Sequence, residues 1–290
     1  MTRRLSMILL FAALAIQAHA QAVPFVTIQR TAESLALGGA HVAGPWNLPL
    51  EANVFEAGIG KTYWQKSAIN YNLTNVDARV RVLDNLSVGL LFTYNNMEET
   101  TLYSSSGQPL GTTQPTELYA GLTASYAPVE KLALNLSGKY IHSALTDHNT
   151  AGAPAFDIGA IWRVGRSVSL GVLGENLGPA ISYGYGSYPL PATIKTGYYG
   201  LFNIAQKHAI ETAADLGAMP AYSAALASLG AGYIYNRTVA LRFGAHICTR
   251  GDILPTYASA GLFVTTPEFD IGAAYLTASN TFSISARLKL

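Results

Sequence analysis

The chain has 290 residues and a mass of 30.8 kDa; half of the residues are apolar, only 12% are charged, and the formal charge is +1. Soluble globular chains carry about a quarter charged residues, so this deficit excludes a disordered chain, a basic nucleic-acid-binding protein and the ordinary surface of a soluble enzyme. A single cysteine, Cys248, excludes an intramolecular disulfide and a cysteine metal cluster, which both need at least two thiolates.

Thr2, Arg3 and Arg4 form a cationic start, Leu5 to Ile16 an apolar core, and Ala18-His19-Ala20 fits the small-x-small pattern of a secretory cleavage site. This predicts a signal peptide over 1–20 and a mature chain from Gln21, which the remaining residues, 21–290, form as one domain. The apolar core is too short to cross a bilayer, which takes about 20 residues. No cysteine follows the cleavage site, so a lipoprotein is excluded. Past Gln21 no apolar run approaches the length of a membrane helix, yet apolar residues abound. A chain of that kind alternates, one face apolar and one polar, as a membrane-barrel strand must.

Residues 21–72 are expected to hold the first strand, within 36–72, and are a candidate plug; the small inner residues leave room for this segment, a ligand or a partner's loop, and the sequence does not choose among them. From 73 to 290 the alternation predicts strands near 76–83, 85–95, 117–127, 131–143, 155–163, 166–176, 191–201, 205–216, 225–235, 238–248, 256–264, 268–276 and 280–290. In the last of these, Phe282, Ile284, Leu288 and Leu290 share one face and Ser283, Ser285, Arg287 and Lys289 the other, which marks the strand that closes a barrel. Short connections such as Asp84-Asn85 and Asn236-Arg237 alternate with long ones at 96–116, 144–154, 177–190, 217–224 and 249–255. Outer-membrane barrels have tight periplasmic turns, longer outer loops and an even strand number, so the expected fold is all-β: a transmembrane barrel of fourteen antiparallel strands with a periplasmic C-terminus. Tyr94, Tyr140 and Tyr275 fall at outer strand ends and Tyr126 and Trp162 at periplasmic ends, where amphipathic rings prefer the interface. A soluble sandwich or lipocalin-like barrel is the rival architecture.

The expected inner faces carry both signs of charge, as in Asp77, Arg79, Lys139, Asp157, Glu175, Lys195, Glu211, Asp215, Arg242 and Arg287, with small residues such as Gly171, Gly197 and Gly244 between them. Mixed signs point to ion pairs filling a narrow lumen rather than an ion-selective path. No motif carries chemistry. Gly58-Ile59-Gly60-Lys61-Thr62 lacks the first glycine of a phosphate-binding loop, since Phe55 stands there. His142 and Ser143, as strand neighbours, face opposite ways and do not share a proton. His246 and Cys248 share a face, where a lone thiol is commonly a packing residue. The chain is read as a non-enzyme, with no cofactor, no metal and no nucleic-acid partner.

Several stretches resemble the PorV/PorQ family of outer-membrane proteins. The run AVPFVTIQRTAESLALGGAHVA (22–43), with Pro24 and Phe25 before Gly38 and Gly39, is similar to the family's opening. SGQPLGTTQPTELYAGLTASYA (106–127), GKYIHSAL (138–145), APAFDIGAIW (153–162) and GENLGPAISYGYGSYPLPATIKTGYYG (174–200) follow in the family's order. The chain departs from it where Leu50-Glu51-Ala52-Asn53 replaces an expected Asn-Pro-Ala. The resemblance implies a FadL-like fourteen-stranded barrel in the outer membrane of a Gram-negative, Bacteroidetes-like bacterium, and a part in the type IX secretion system. A PorV-type shuttle takes cargo bearing a C-terminal sorting domain from the translocon to the cell-surface attachment complex.

A shuttle needs outer loops that grip protein through rigid aromatics. Tyr183, Tyr185 and Tyr188, separated by Gly and Ser, and Tyr103 in the 96–116 loop are the candidates. The competing function is a FadL-like channel for hydrophobic small molecules, which requires a continuous apolar inner patch and a plug that moves. The mixed, small inner faces argue against it.

Overall fold

A strand that crosses a bilayer must satisfy its backbone groups within the protein, and a closed sheet does this without an edge. The computed structural model describes residues 22–50, 53–66, 69–146 and 148–290; the expected signal peptide with its cleavage site and Glu51-Ala52 lie outside them. The strands are β1 (Phe55–Lys66), β2 (Ile69–Leu83), β3 (Leu86–Met97), β4 (Thr116–Val129), β5 (Leu132–Thr146), β6 (Asn149–Arg163) and β7 (Val168–Leu177). There follow β8 (Thr193–Ala205), β9 (His208–Met219), β10 (Ala224–Tyr235), β11 (Val239–Cys248), β12 (Tyr257–Thr265), β13 (Phe269–Leu276) and β14 (Thr281–Lys289). Each pairs antiparallel with its sequence neighbours, and β14 returns to β1 with Glu56 opposite Lys289 and Tyr63 opposite Phe282, closing one barrel of fourteen strands.

The alternation sorts side chains as the sequence implies. Leu122, Leu136, Ile158, Leu216 and Phe243 are each more than half exposed on the outer wall, as are Trp162 and Tyr140 at opposite ends of their strands. Thr62, Thr93, Asn95 and Ser143 are buried within. An exterior this apolar suits a lipid band, and among the described residues no helix is long and apolar enough to cross a membrane. The protein is therefore a transmembrane β-barrel of the outer-membrane type. The soluble rival fails on the same observation, because its apolar face would point inward.

Two boundaries differ from the sequence reading. β2 begins at Ile69 rather than 76, and β5 runs to Thr146 and β6 starts at Asn149 where a loop over 144–154 is expected. Above the lipid band the outward residues Asn70, Asn72, Thr74, Thr146 and Thr150 are polar or hydroxylated, so the contrast between faces that reveals a strand is lost. The two long outer loops carry structure of their own. Thr100–Tyr103 pairs with Pro109–Thr113 in an exposed hairpin, and Ile181–Ser182 pairs with Ser187–Tyr188 around Gly184, whose φ of +87° suits glycine. Gly58 to Thr62 lie within β1, not in a loop.

Candidate functional site: a plugged lumen with an apolar outer chamber

The segment 22–50 lies inside the barrel. It starts at the outer end, where Val23 and Phe25 pack among Trp64, Tyr119 and Ile181, and ends near the periplasmic end, where the Leu50 amide donates to Ser87 Oγ at 2.8 Å. Its helix α1 (Ala32–Ala36) is capped by Thr31, whose hydroxyl accepts from the Ser34 amide at 3.3 Å. It stops at Gly38 and Gly39, with φ of +71° and +83°; the Gly39 amide reaches back to the Ser34 carbonyl at 2.8 Å, a Schellman-type ending.

Those glycines also meet the wall. A Cβ on Gly38 would stand 2.6 Å from the Ala245 nitrogen and 2.7 Å from the Leu229 oxygen. Gly230 in β10 makes room for Leu37, Gly244 in β11 for the Leu37–Gly38 backbone, and Gly197 in β8 for Val42. Ser259 Oγ accepts from the Gly38 amide at 3.2 Å and donates to the Ala36 carbonyl at 3.0 Å. The small inner residues therefore seat the plug.

The charged inner residues hold it. Asp215 Oδ2 accepts from the amides of His41 at 2.7 Å and Val42 at 3.2 Å. Glu175 Oε1 lies 3.1 Å from His41 Nε2, and its other oxygen accepts from Lys195 at 2.7 Å. Arg79 donates to the carbonyls of Trp46 and Leu48 and pairs with Glu56 at 2.8 Å. Arg242 Nε pairs with Glu211 at 2.7 Å, and its Nη1 lies 3.6 Å from Glu33 of α1. Burial lifts the Glu33 carboxyl above the ordinary range, against the pull of Arg242.

The outer end is different in kind. Trp64, Leu73, Tyr119, Ile141, Ile181 and Leu190 are buried together around Val23 and Phe25, with Phe25 stacked on Tyr119 at a centroid distance of 5.8 Å. This corrects the expectation of inner faces that are mixed in charge and small throughout, and it supplies the apolar patch a hydrophobic channel requires. The parity of Trp64, Leu73 and Tyr119 within their strands was the available signal. Deeper in the lumen lies a cavity of about 210 Å³, bordered by charged groups of the plug and wall, among them Arg30, Asp77, Lys139 and Glu175.

Pro24, Phe25, Gly38 and Gly39 all lie in the lumen, the first pair at the chamber and the second at the seat. Tyr183 and Tyr188 pack onto the chamber from the loop above, and the Tyr183 hydroxyl donates to Ser143 Oγ at 2.8 Å. Burial raises the pKa of the Tyr183 phenol, while its bond to Ser143 opposes that shift. Tyr185 and Tyr103 are exposed, at 68% and 65%. Phe282, Ile284, Leu288 and Leu290 face away from the lumen on the outer wall. His246 and Cys248 share the inner face with separate partners, Ser228 Oγ at 3.0 Å and the Arg250 carbonyl at 3.1 Å.

No family model and no curated protein matches the sequence. Among solved structures, the chain is similar to the toluene transporter TbuX of Ralstonia pickettii, with a TM-score of 0.63, 14% identity, and coverage of 92% of this chain and 100% of that one. It is also similar to the CymD monoaromatic hydrocarbon channel, with a TM-score of 0.62 and 12% identity over 91% and 98% of the two chains. The Pseudomonas putida toluene transporter TodX gives 0.57 and 12% over 93% and 98%. These likenesses show the fold, a FadL-like fourteen-stranded barrel.

Proposed function

We propose that the protein is an outer-membrane channel for hydrophobic small molecules in a Gram-negative bacterium. The observation that carries this reading is the apolar outer chamber filled by Val23 and Phe25 of the chain's own plug. A ligand of similar size and polarity displaces Phe25 from Tyr119, and the plug then shifts to let it pass. The named activities of the similar barrels, transport of toluene and other monoaromatic hydrocarbons, support this class of ligand.

Trp64 is 5% exposed and lies 4.9 Å from Tyr71 within the chamber, so its fluorescence reports occupancy. Titrating the detergent-purified protein with toluene should change the emission saturably, and Phe25→Trp should weaken binding by overfilling the chamber. No response to toluene or to a longer alkane would overturn the proposal.

The second reading is the type IX role, as a PorV-like shuttle or a PorQ-like holder in a Bacteroidetes-like bacterium. It rests on the motif resemblance and on Tyr103 and Tyr185, which stand exposed on the outer loops for a protein partner. It ranks second because Tyr183 and Tyr188 spend their rings on the chamber. Affinity capture from solubilised outer membrane separates the two: a giant translocon or exported proteins sharing a C-terminal domain favour secretion, and the barrel alone favours the channel.

A further inference from the structure

Among the described residues, Lys61 is the only Lys, Arg, Asp or Glu on the outward face of a barrel strand. Its neighbours on that face are the apolar Ile59 and Ile284 and the hydroxyl of Thr74, which accepts from Nζ at 2.9 Å. Nζ also lies 5.6 Å from the centre of the Tyr63 ring. An ammonium on the lipid side of a barrel costs most at the midplane and little near the interface.

The register gives its level. Tyr63 stands beside Phe282, and Phe282 beside Tyr275, a continuous stretch of the outer aromatic band. Lys61 is one side-chain row below Tyr63 and in one row with Thr74 and Tyr94. The row above continues from Tyr63 through Asn72 to Asn96. A cation with three hydroxyls and two amides around it thus interrupts an otherwise uncharged wall at the depth where outer-leaflet headgroups begin.

We infer that this face of β1–β3 binds the phosphoryl group of an outer-leaflet glycolipid. Lys61 supplies the charge, Thr74 holds its ammonium toward the site, and Tyr63, Tyr94 and Asn72 offer hydrogen bonds to sugar hydroxyls. A phosphoryl anion fits the lone cation by charge and fits its depth, and a sugar headgroup fits the polar row above it. The inference is independent of what the lumen conducts.

The test is native mass spectrometry of the full detergent-purified chain, titrated with diphosphorylated lipid A and with its dephosphorylated form. Lys61→Met keeps the length and suits lipid, so the barrel assembles, which the heat-modifiable gel shift verifies. The wild type should retain the phosphorylated lipid in preference to the dephosphorylated one, Lys61→Met should lose retention by about tenfold, as expected for one charge-assisted hydrogen bond, and Lys61→Arg should restore it. Equal retention by Lys61→Met or equal retention of the dephosphorylated lipid would each overturn the assignment, as would a lipid-free dimer lost in Lys61→Met.

Discussion

Gly244→Ala is the sharpest probe of the plug. A Cβ at Gly244 would overlap the Gly38 amide nitrogen and the Leu37 carbonyl carbon and stand 2.7 Å from Gly38 Cα. Ordinary contact needs about 3.5–4.0 Å, so the plug must withdraw by about 1.5–2 Å. Both partners are backbone, so no rotamer change relieves the overlap. Gly38 cannot move sideways either, being held against Ala245 and Leu229. Withdrawal stretches the bonds from Gly38 to Ser259, at 3.2 Å, and from Ser259 to Ala36, at 3.0 Å, beyond useful length. Losing two such bonds costs about 1 kcal/mol each, and overpacking adds about 1–3 kcal/mol. A total of about 3–5 kcal/mol raises the unseated fraction by about 10²- to 4 × 10³-fold. Planar-bilayer recordings should show the variant open far more often than the wild type, and limited proteolysis should cut within 22–50 while the barrel keeps its heat-modifiable shift. Wild-type conductance together with wild-type protection of the segment would refute the reasoning.

Phe25→Ala vacates the chamber, so toluene titration followed by Trp64 fluorescence should show at least about tenfold tighter binding, since burying the lost ring is worth about 1.5–3 kcal/mol; unchanged binding would mean that Phe25 is not what the ligand replaces. Asp215→Ala leaves the buried amides of His41 and Val42 without their acceptor, a penalty of about 1–3 kcal/mol each, and hydrogen exchange at those two amides should accelerate while that of β9 does not. Removing residues 288–290 takes away Leu288 and Lys289, which face Ala57 and Glu56 across the closing seam. That variant should fail to give the heat-modifiable band, and normal assembly would show that the seam tolerates a shortened β14.

The strands were legible because lipid demands a one-sided pattern: Phe243 and Ile247 outward with Arg242 and His246 inward can be read directly from the order of residues. Where lipid no longer faces the wall, as along Asn70, Asn72 and Thr74, that pattern fades, and the start of β2 is misplaced. The plug was legible in part. Gly38-Gly39 is visible as a break, but a five-residue helix does not stand alone, and its place depends on Ser259, Asp215 and Gly244, far along the chain. The chamber was missed because inner faces were expected to be polar along their whole length. A lumen has levels, and Trp64, Tyr119 and Ile141 belong to the outer one.

The seating of the plug also bears on how the molecule assembles. Of its anchors, Asp215 in β9, Gly244 in β11 and Ser259 in β12 hold its middle from the later half of the chain, while Arg79 in β2 and Ser87 in β3 hold its last residues, and the segment itself comes before the first strand. The seam between β1 and β14 joins residues at opposite ends of the sequence and carries the largest loop-closure cost of any strand pair. On that cost the segment is expected to seat against the still open sheet, on early and later strands alike, before the seam shuts around it. The earliest part of the domain to be synthesised becomes the mandrel on which the rest is wound.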